Sequence, residues 1–251
     1  CIGKGQFGTV YRALNLNSGR VVAVKRINIQ DQSEDEIMQL SHEVHVLKTM
    51  AQHPCIVQYE GLVKTDDHVH IILEYAENGS LLNTLKDFGN LPEGLVASYV
   101  VKILDGLHYL HSNQIVHCDL KAANILTTKN GNIKLSDFGV SLNMKALQNS
   151  DDNNNVAGSP YWMAPEVILL RGASPASDIW SLGCTIIELI TGHPPYSHLV
   201  TLSAMFRIVE DSHPPLPDDI SPLLSQFLLQ CFRKNSEDRP SAKDLADHMW
   251  L

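Results

Sequence analysis

Five cysteines occur, Cys1, Cys55, Cys118, Cys184 and Cys231, and no two of them form a CxxC pair, which removes the usual signal of a zinc site or a thioredoxin-like motif. Odd in number and widely scattered, they read as reduced thiols of a cytosolic protein. Long apolar runs are also missing. A membrane-spanning helix needs about 18 to 20 such residues, and the nearest candidate, Ile179 to Ile190, is too short and carries Glu188. No transmembrane segment and no signal peptide are expected. Positive charge is scarce: 19 Lys and Arg face 28 Asp and Glu, giving a formal charge of -9 and a pI near 5.7. Bulk repulsion therefore argues against nucleic acid or an anionic membrane as partner. Twelve histidines include no HExxH pair and read as ordinary core or surface residues. The chain opens on Cys1-Ile2-Gly3 without an initiator Met, at what reads as the end of a strand, so an excised domain is expected.

What is present suits a globular chain: 251 residues, 44% of them apolar, enough for one large domain or two lobes. Residues 1–74 read as strand-rich. Gly3-Lys4-Gly5-Gln6-Phe7-Gly8 supplies a glycine turn, and the β-branched stretches Thr9 to Arg12 and Arg20 to Arg26 are joined by a turn at Asn17-Ser18-Gly19. A dinucleotide site would follow the glycines with a helix, whereas here strand follows strand. A hairpin could instead cover phosphates with its backbone N–H groups, although glycines serve any tight turn.

From Ser33 to Met50 the spacing turns helical, with Ile37, Leu40, Val44 and Leu47 as the apolar stripe, Ser33 as cap and Glu36 at the capping-box position. Glu43 lies beside that stripe and could reach back to Lys25. Val69 to Glu74 is a further strand, and Asn78-Gly79 marks the expected boundary between a unit of residues 1–77 and one of 78–251. Val96, Val100, Ile103, Leu104, Leu107 and Leu110 predict a helix of about five turns after Leu91-Pro92-Glu93. Short strands are expected at Ile115-Val116 and Ile133 to Leu135, and a helix buried on nearly every side opens at Asp178. Later helices are expected over Leu202 to Val209, Leu223 to Phe232 and Lys243 to His248. Asn149 to Asn155 is polar, acidic and aperiodic, so a mobile loop is expected there.

One stretch concentrates chemistry. His117-Cys118-Asp119-Leu120-Lys121-Ala122-Ala123-Asn124, followed by Asp137-Phe138-Gly139, offers carboxylates, an amide and an ammonium suited to metal-bound phosphate and a hydroxyl nucleophile. Each signal alone is weak. Their order is not: the glycine hairpin, Val22-Ala23-Val24-Lys25, Glu43, His117-Cys118-Asp119, Asn124, Asp137-Phe138-Gly139, Ala164-Pro165-Glu166, Asp178 and Arg239 together resemble the eukaryotic protein kinase domain over essentially the whole chain.

That resemblance implies an α+β, two-lobed fold, with a small antiparallel N-lobe carrying one main helix and a larger, mostly helical C-lobe. It implies ATP and Mg²⁺ as cofactors and protein substrates as acceptors. Ile2, Gly3, Lys4, Gly5, Gln6, Phe7 and Gly8 would cover the nucleotide; Val10, Ala23 and Leu126 would wall the adenine; Leu73 would gate the back pocket; Glu74, Tyr75 and Ala76 would form the hinge. Lys25 would hold phosphate with Glu43 fixing its ammonium, Asn124 and Asp137 would ligate the metal, and Asp119 would take the substrate hydroxyl's proton beside Lys121. Lys121, two positions after Asp119, resembles the Ser/Thr-specific form of the loop, and Ser159 in Gly158-Ser159-Pro160-Tyr161-Trp162 supports the same choice. Phe138, Gly139, Ser159, Ala164, Pro165 and Glu166 belong to the activation segment, with Glu166 expected to pair with Arg239.

Cys118 departs from the family's His-Arg-Asp. A neutral thiol cannot clamp an activation-loop phosphate as that Arg often does, so activation independent of the clamp is expected. The bland alternative is a small buried side chain. Cys118 is also the only support for a second reading, a nucleotide-binding pseudokinase or scaffold. Within kinases the chain is similar to the STE group, and there to fungal septation-initiation kinases and plant MAP-kinase-kinase-kinase epsilon. This implies a place upstream in a cascade controlling cytokinesis, with downstream kinases and a small GTPase as partners, in the cytoplasm at a spindle pole or division site.

Overall fold

The computed structural model describes residues 1–5, 8–30, 34–50, 52–138, 142–143 and 159–251. Gln6, Phe7, Ser33, Gly139, Ser141 and the acidic stretch 149–155 lie outside the described residues. Five antiparallel strands form the first sheet: β1 (Gly3–Gly5), β2 (Gly8–Leu14), β3 (Val21–Asn28), β4 (Tyr59–Lys64) and β5 (His68–Glu74), in the order β1-β2-β3-β5-β4. At Gly8 the backbone has φ +155° and an added Cβ would stand 2.3 Å from the Arg26 carbonyl oxygen, so the turn back into β2 requires glycine. Strand periodicity puts Ala23, Lys25 and Ile27 on one face of β3, all buried.

Helix α1 (Glu34–Met50) packs Val44, Val46, Leu47 and Met50 into the core that also holds Ile27, Val69 and Ile71. Its expected stripe holds only from the middle onward. Leu40 is half-buried and Ile37 is 44% exposed, whereas Glu43, Val44, Val46 and Leu47 are buried.

Helices dominate from residue 81 on. Spacing alone gave no notice of α2 (Leu81–Phe88), yet Ser80 and Asn83 cap it reciprocally and Leu81 and Leu85 are its buried side. The long α3 (Glu93–Ser112) buries the expected stripe. Strand β6 (Ile115–Val116) pairs with β9 (Leu142–Asn143), while β7 (Ile125–Thr127) pairs with β8 (Ile133–Leu135). The two strands expected to bracket one loop thus belong to separate ribbons.

A short α4 (Pro165–Ile168) precedes α5 (Pro175–Thr191), whose proline sits in the first turn and whose end is fixed by Gly192 at φ +83°. Residues 177–189 of α5 are all buried; α5 packs against α3 and α7 (Pro222–Cys231), while α6 (Thr201–Glu210) packs on α4 and α8 (Ala242–Ala246) on α3. Helix α8 is shorter than the expected 243–248 and begins at the Ser241 cap.

Candidate active site

A cavity of about 500 Å³ opens between the sheet and the helical part of the chain. Ile2, Gly3, Gly8 and Val10 line its roof, and Ala23 and Leu126 face each other across it. Leu73, Glu74, Tyr75 and Ala76 form its back and connecting wall, while Lys25, Glu43, Asn124 and Asp137 supply its polar end. Lys4 sits on β1 and is not among the described residues that line the cavity. Sequence reasoning missed Asn78 and Ser80, just before α2, and Asn83 and Asp87 on it, as part of the lining.

At the polar end Lys25 Nζ donates to Glu43 Oε1 at 2.6 Å and to Asp137 Oδ1 at 3.5 Å. Lys25 and Glu43 are nearly closed to solvent, at 11% and 4% side-chain exposure, which marks the contact as more than a surface pair. Burial works against both charges. At Lys25 two carboxylates outweigh it and hold the ammonium above the ordinary lysine value, whereas burial, opposed by Lys25 and aided by Asp137, leaves the Glu43 carboxyl raised.

Asp119 stands at the centre of a second group. Its Oδ2 accepts from Lys121 Nζ and from Asn124 Nδ2, each at 2.8 Å. Its Oδ1 accepts from the backbone N–H of Ser159 at 3.1 Å and from the Ser159 hydroxyl at 2.9 Å, and that hydroxyl in turn accepts from Lys121 at 2.5 Å. A serine hydroxyl thus already occupies a position between a carboxylate base and an ammonium. Asn124 gives its N–H₂ to the Asp119 backbone and side chain, which leaves its carbonyl oxygen as a hard donor near Asp137 in the same cavity. Two oxygen donors of this type fit a divalent metal such as Mg²⁺.

The loop that presents Asp119 is held from below by residues whose part the sequence did not reveal. Asp178, fully buried on α5, accepts the backbone N–H groups of His117 (2.8 Å) and Cys118 (2.9 Å) and the His111 ring at 2.8 Å. Burial disfavours this carboxylate, but the His111 and His117 contacts more than offset it and hold its carboxyl below the ordinary aspartate value. These bonds compensate strain: Cys118 has φ +66°, a region unfavourable for a residue with a Cβ. His117 accepts the Asp119 N–H on Nδ1 and donates from Nε2 to the Ser136 carbonyl, so its tautomer is fixed and it links the loop to Ser136-Asp137. Its ring packs at 5.2 Å on Phe138, which is fully buried.

Glu188, the charge that interrupts the apolar run on α5, accepts from the Ala122 N–H and from Trp162 Nε1, each at 3.0 Å, and burial raises its carboxyl. Glu74 pairs with Lys134 at 2.7 Å and accepts the Gln58 N–H, tying the connection after β5 to β8. The expected Glu166–Arg239 pair is present and two-pronged, at 2.6 and 2.7 Å. Cys118 is half-buried, and its thiol donates to the Val116 carbonyl at 3.7 Å.

A glycine-roofed cavity ending in a closed Lys–Glu pair, with an Asp–Lys–Asn group beside it, defines a nucleotide-dependent phosphotransferase. The family model described as protein kinase domain matches residues 1–251, and the chain belongs to that family. Such domains use ATP with a divalent metal ion. Among its relatives, "Cytokinesis protein sepH" of Aspergillus niger is 53% identical over 251 residues, all of this chain and 18% of the relative. "Cell division control protein 7" of Schizosaccharomyces pombe is 51% identical over 251 residues, again all of this chain and 23% of the relative. "MAP3K epsilon protein kinase 1" of Arabidopsis thaliana is 50% identical over 253 residues, all of this chain and 18% of the relative. The chain therefore spans about a fifth of the length of these relatives.

Proposed function

We propose that the chain transfers the γ-phosphate of ATP to serine or threonine of a protein substrate, with an N-lobe of residues 1–77 and a C-lobe of 78–251. The observation that carries this reading is the closed, buried Lys25–Glu43 contact at 2.6 Å beside Asp137. Phosphoryl transfer asks a protein for positioning and charge neutralisation, and both are supplied here. Lys25, steadied by Glu43, holds the α- and β-phosphates. Asp119 orients the acceptor hydroxyl and takes its proton, while Lys121 balances charge on the transferring group. Asn124 and Asp137 would hold Mg²⁺ through oxygen donors, and the ion would supply positive charge against the phosphate oxygens. The adenine lies between Val10, Ala23 and Leu126, against the hinge at Glu74 to Ala76.

The names of the relatives, cytokinesis and cell division control proteins and a MAP3K, support a place upstream in a kinase cascade of cell division. Its partners there are downstream kinases and a small GTPase bound outside this domain, and its site is the cytoplasm at a spindle pole or division site. The test is transfer of labelled phosphate from ATP to a mixed protein acceptor, followed by phosphoamino-acid analysis. Phosphoserine and phosphothreonine without phosphotyrosine are expected. ATP binding without transfer would replace this reading with a nucleotide-binding scaffold.

A further inference from the structure

Away from the cleft, the turn that follows α1 meets the middle of α3 at three different metal-ligating side chains, His53, Cys55 and Asp105. Asp105 Oδ2 lies 3.6 Å from Cys55 Sγ and 3.6 Å from His53 Nε2, and one donor atom from each residue falls within 4.8 Å of the others. Zinc bonds of about 2.0 Å to N or O and 2.3 Å to S, arranged tetrahedrally, require donor-to-donor edges of about 3.3 to 3.6 Å. Two of the three edges already have that length. We propose that His53 Nε2, Cys55 Sγ and Asp105 Oδ2 form a three-donor site for a thiophilic divalent cation of the zinc class, with water as the fourth ligand.

The donors are held before any ion arrives. The His53 ring stacks on Tyr109, one helical turn beyond Asp105 on α3, with centroids 4.5 Å apart. The Cys55 carbonyl accepts the Leu135 N–H at 2.8 Å, pinning the turn to β8. Asp105, 58% exposed at its side chain, is the door to solvent and the side on which a water ligand fits. Mixed nitrogen, sulfur and oxygen donors suit zinc better than magnesium or calcium, which take oxygen.

Loading has a proton balance. The Cys55 S–H bond breaks, its proton goes to solvent and the thiolate binds the ion. His53 Nδ1 accepts the Cys55 N–H at 3.2 Å in the free form. Ligation through Nε2 therefore moves the ring proton from Nε2 to Nδ1 and gives up that bond. Burial and the neighbouring Asp105 push the Cys55 thiol up to about 11. Both costs put the affinity below that of four-ligand structural sites. The bound ion would join the end of α1, the helix that carries Glu43, to α3.

Cobalt(II) titration of the chain carrying Cys1→Ser tests this, the substitution removing an exposed thiol far from the cluster in sequence. One equivalent should give a thiolate-to-cobalt absorption band and the strong visible bands of four-coordinate cobalt, displaced by zinc. Asp105→Asn, at an exposed position, should weaken binding about tenfold, and Cys55→Ala should abolish the thiolate band. One equivalent of zinc should raise the melting temperature of the parent more than that of either variant. Absence of the band in the parent, or an equal band in Cys55→Ala, overturns the proposal and leaves the three residues as a hydrogen-bonded cluster. Should Cys55→Ala not fold, an unchanged affinity in Asp105→Asn overturns it equally.

Discussion

Replacing Arg239 by Ala removes a side chain that joins α4, the start of α5 and the segment after α7. Its guanidinium donates to both Glu166 oxygens, to the Ala176 carbonyl at 2.8 Å and to the Arg233 carbonyl at 2.8 Å, and it lies 5.2 Å from the centre of the Trp180 ring. The side chain has no solvent exposure and Glu166 only 11%, so truncation strands a carboxylate with little water to replace its partner. Removing one member of such a pair costs roughly 3 to 5 kcal/mol. For a chain of this size each kcal/mol moves the melting temperature by about 2 to 4 °C, so calorimetry should show a fall of about 6 to 20 °C. Arg239→Lys keeps the charge but not the two-pronged geometry and should fall between the two. A melting temperature within about 1 °C of the parent would refute the reasoning, because a buried charge cannot lose its partner at no cost.

Three further outcomes are expected. Gly183→Ala places a Cβ 2.7 Å from a Phe232 ring carbon and 3.0 Å from Cys231 Cβ, so overpacking should cost about 1 to 3 kcal/mol in urea unfolding. Because the Asp178 carboxyl is held low in the folded state, its contribution is complete above the unfolded value of about 3.9 and is lost as pH falls through the lower folded value. Asp178→Asn should therefore be less stable at neutral pH and show a shallower acid limb, and parallel curves would contradict this. If Cys118 has removed the phosphate clamp, Ser141→Ala and Ser150→Ala should keep their phosphotransfer activity. Ser159→Ala, which loses the hydroxyl held by Asp119 and Lys121, should not; a large loss at Ser150 would count against the idea.

The parts legible in the sequence were those whose chemistry needs a fixed residue type at a fixed place. Lys25 and Glu43 are separated by a strand end and two helical turns, and only the order of motifs identified them as partners; 2.6 Å is the result. Arg239 and Glu166 were likewise found across 73 residues. Contacts to backbone donors were not legible, since Asp178 accepts from the N–H groups of His117 and Cys118, and such a group gives no signal in the residue type. The positive φ at Cys118 could not be foreseen either, because no glycine stands there to signal it. Helix α2 escaped notice because eight residues give only two buried leucines, too few for a period. Ile37 was misplaced because periodicity reports a helix face but not how much of that face is covered. Glu188 did carry a signal: the one charge within the apolar run Ile179 to Ile190, which here accepts from the Ala122 N–H and from Trp162.

The central claim is that Asp119 serves the transfer step while the cavity above it binds nucleotide. Single-turnover phosphotransfer by the parent and Asp119→Asn, with ATP affinity measured on the same samples, tests it most directly. The account predicts a loss of roughly 10² to 10⁴ in rate, with ATP binding nearly unchanged because the nucleotide is held by Lys25 and the cavity walls. Equal rates in the two proteins, or no transfer by a parent that binds ATP, would contradict it.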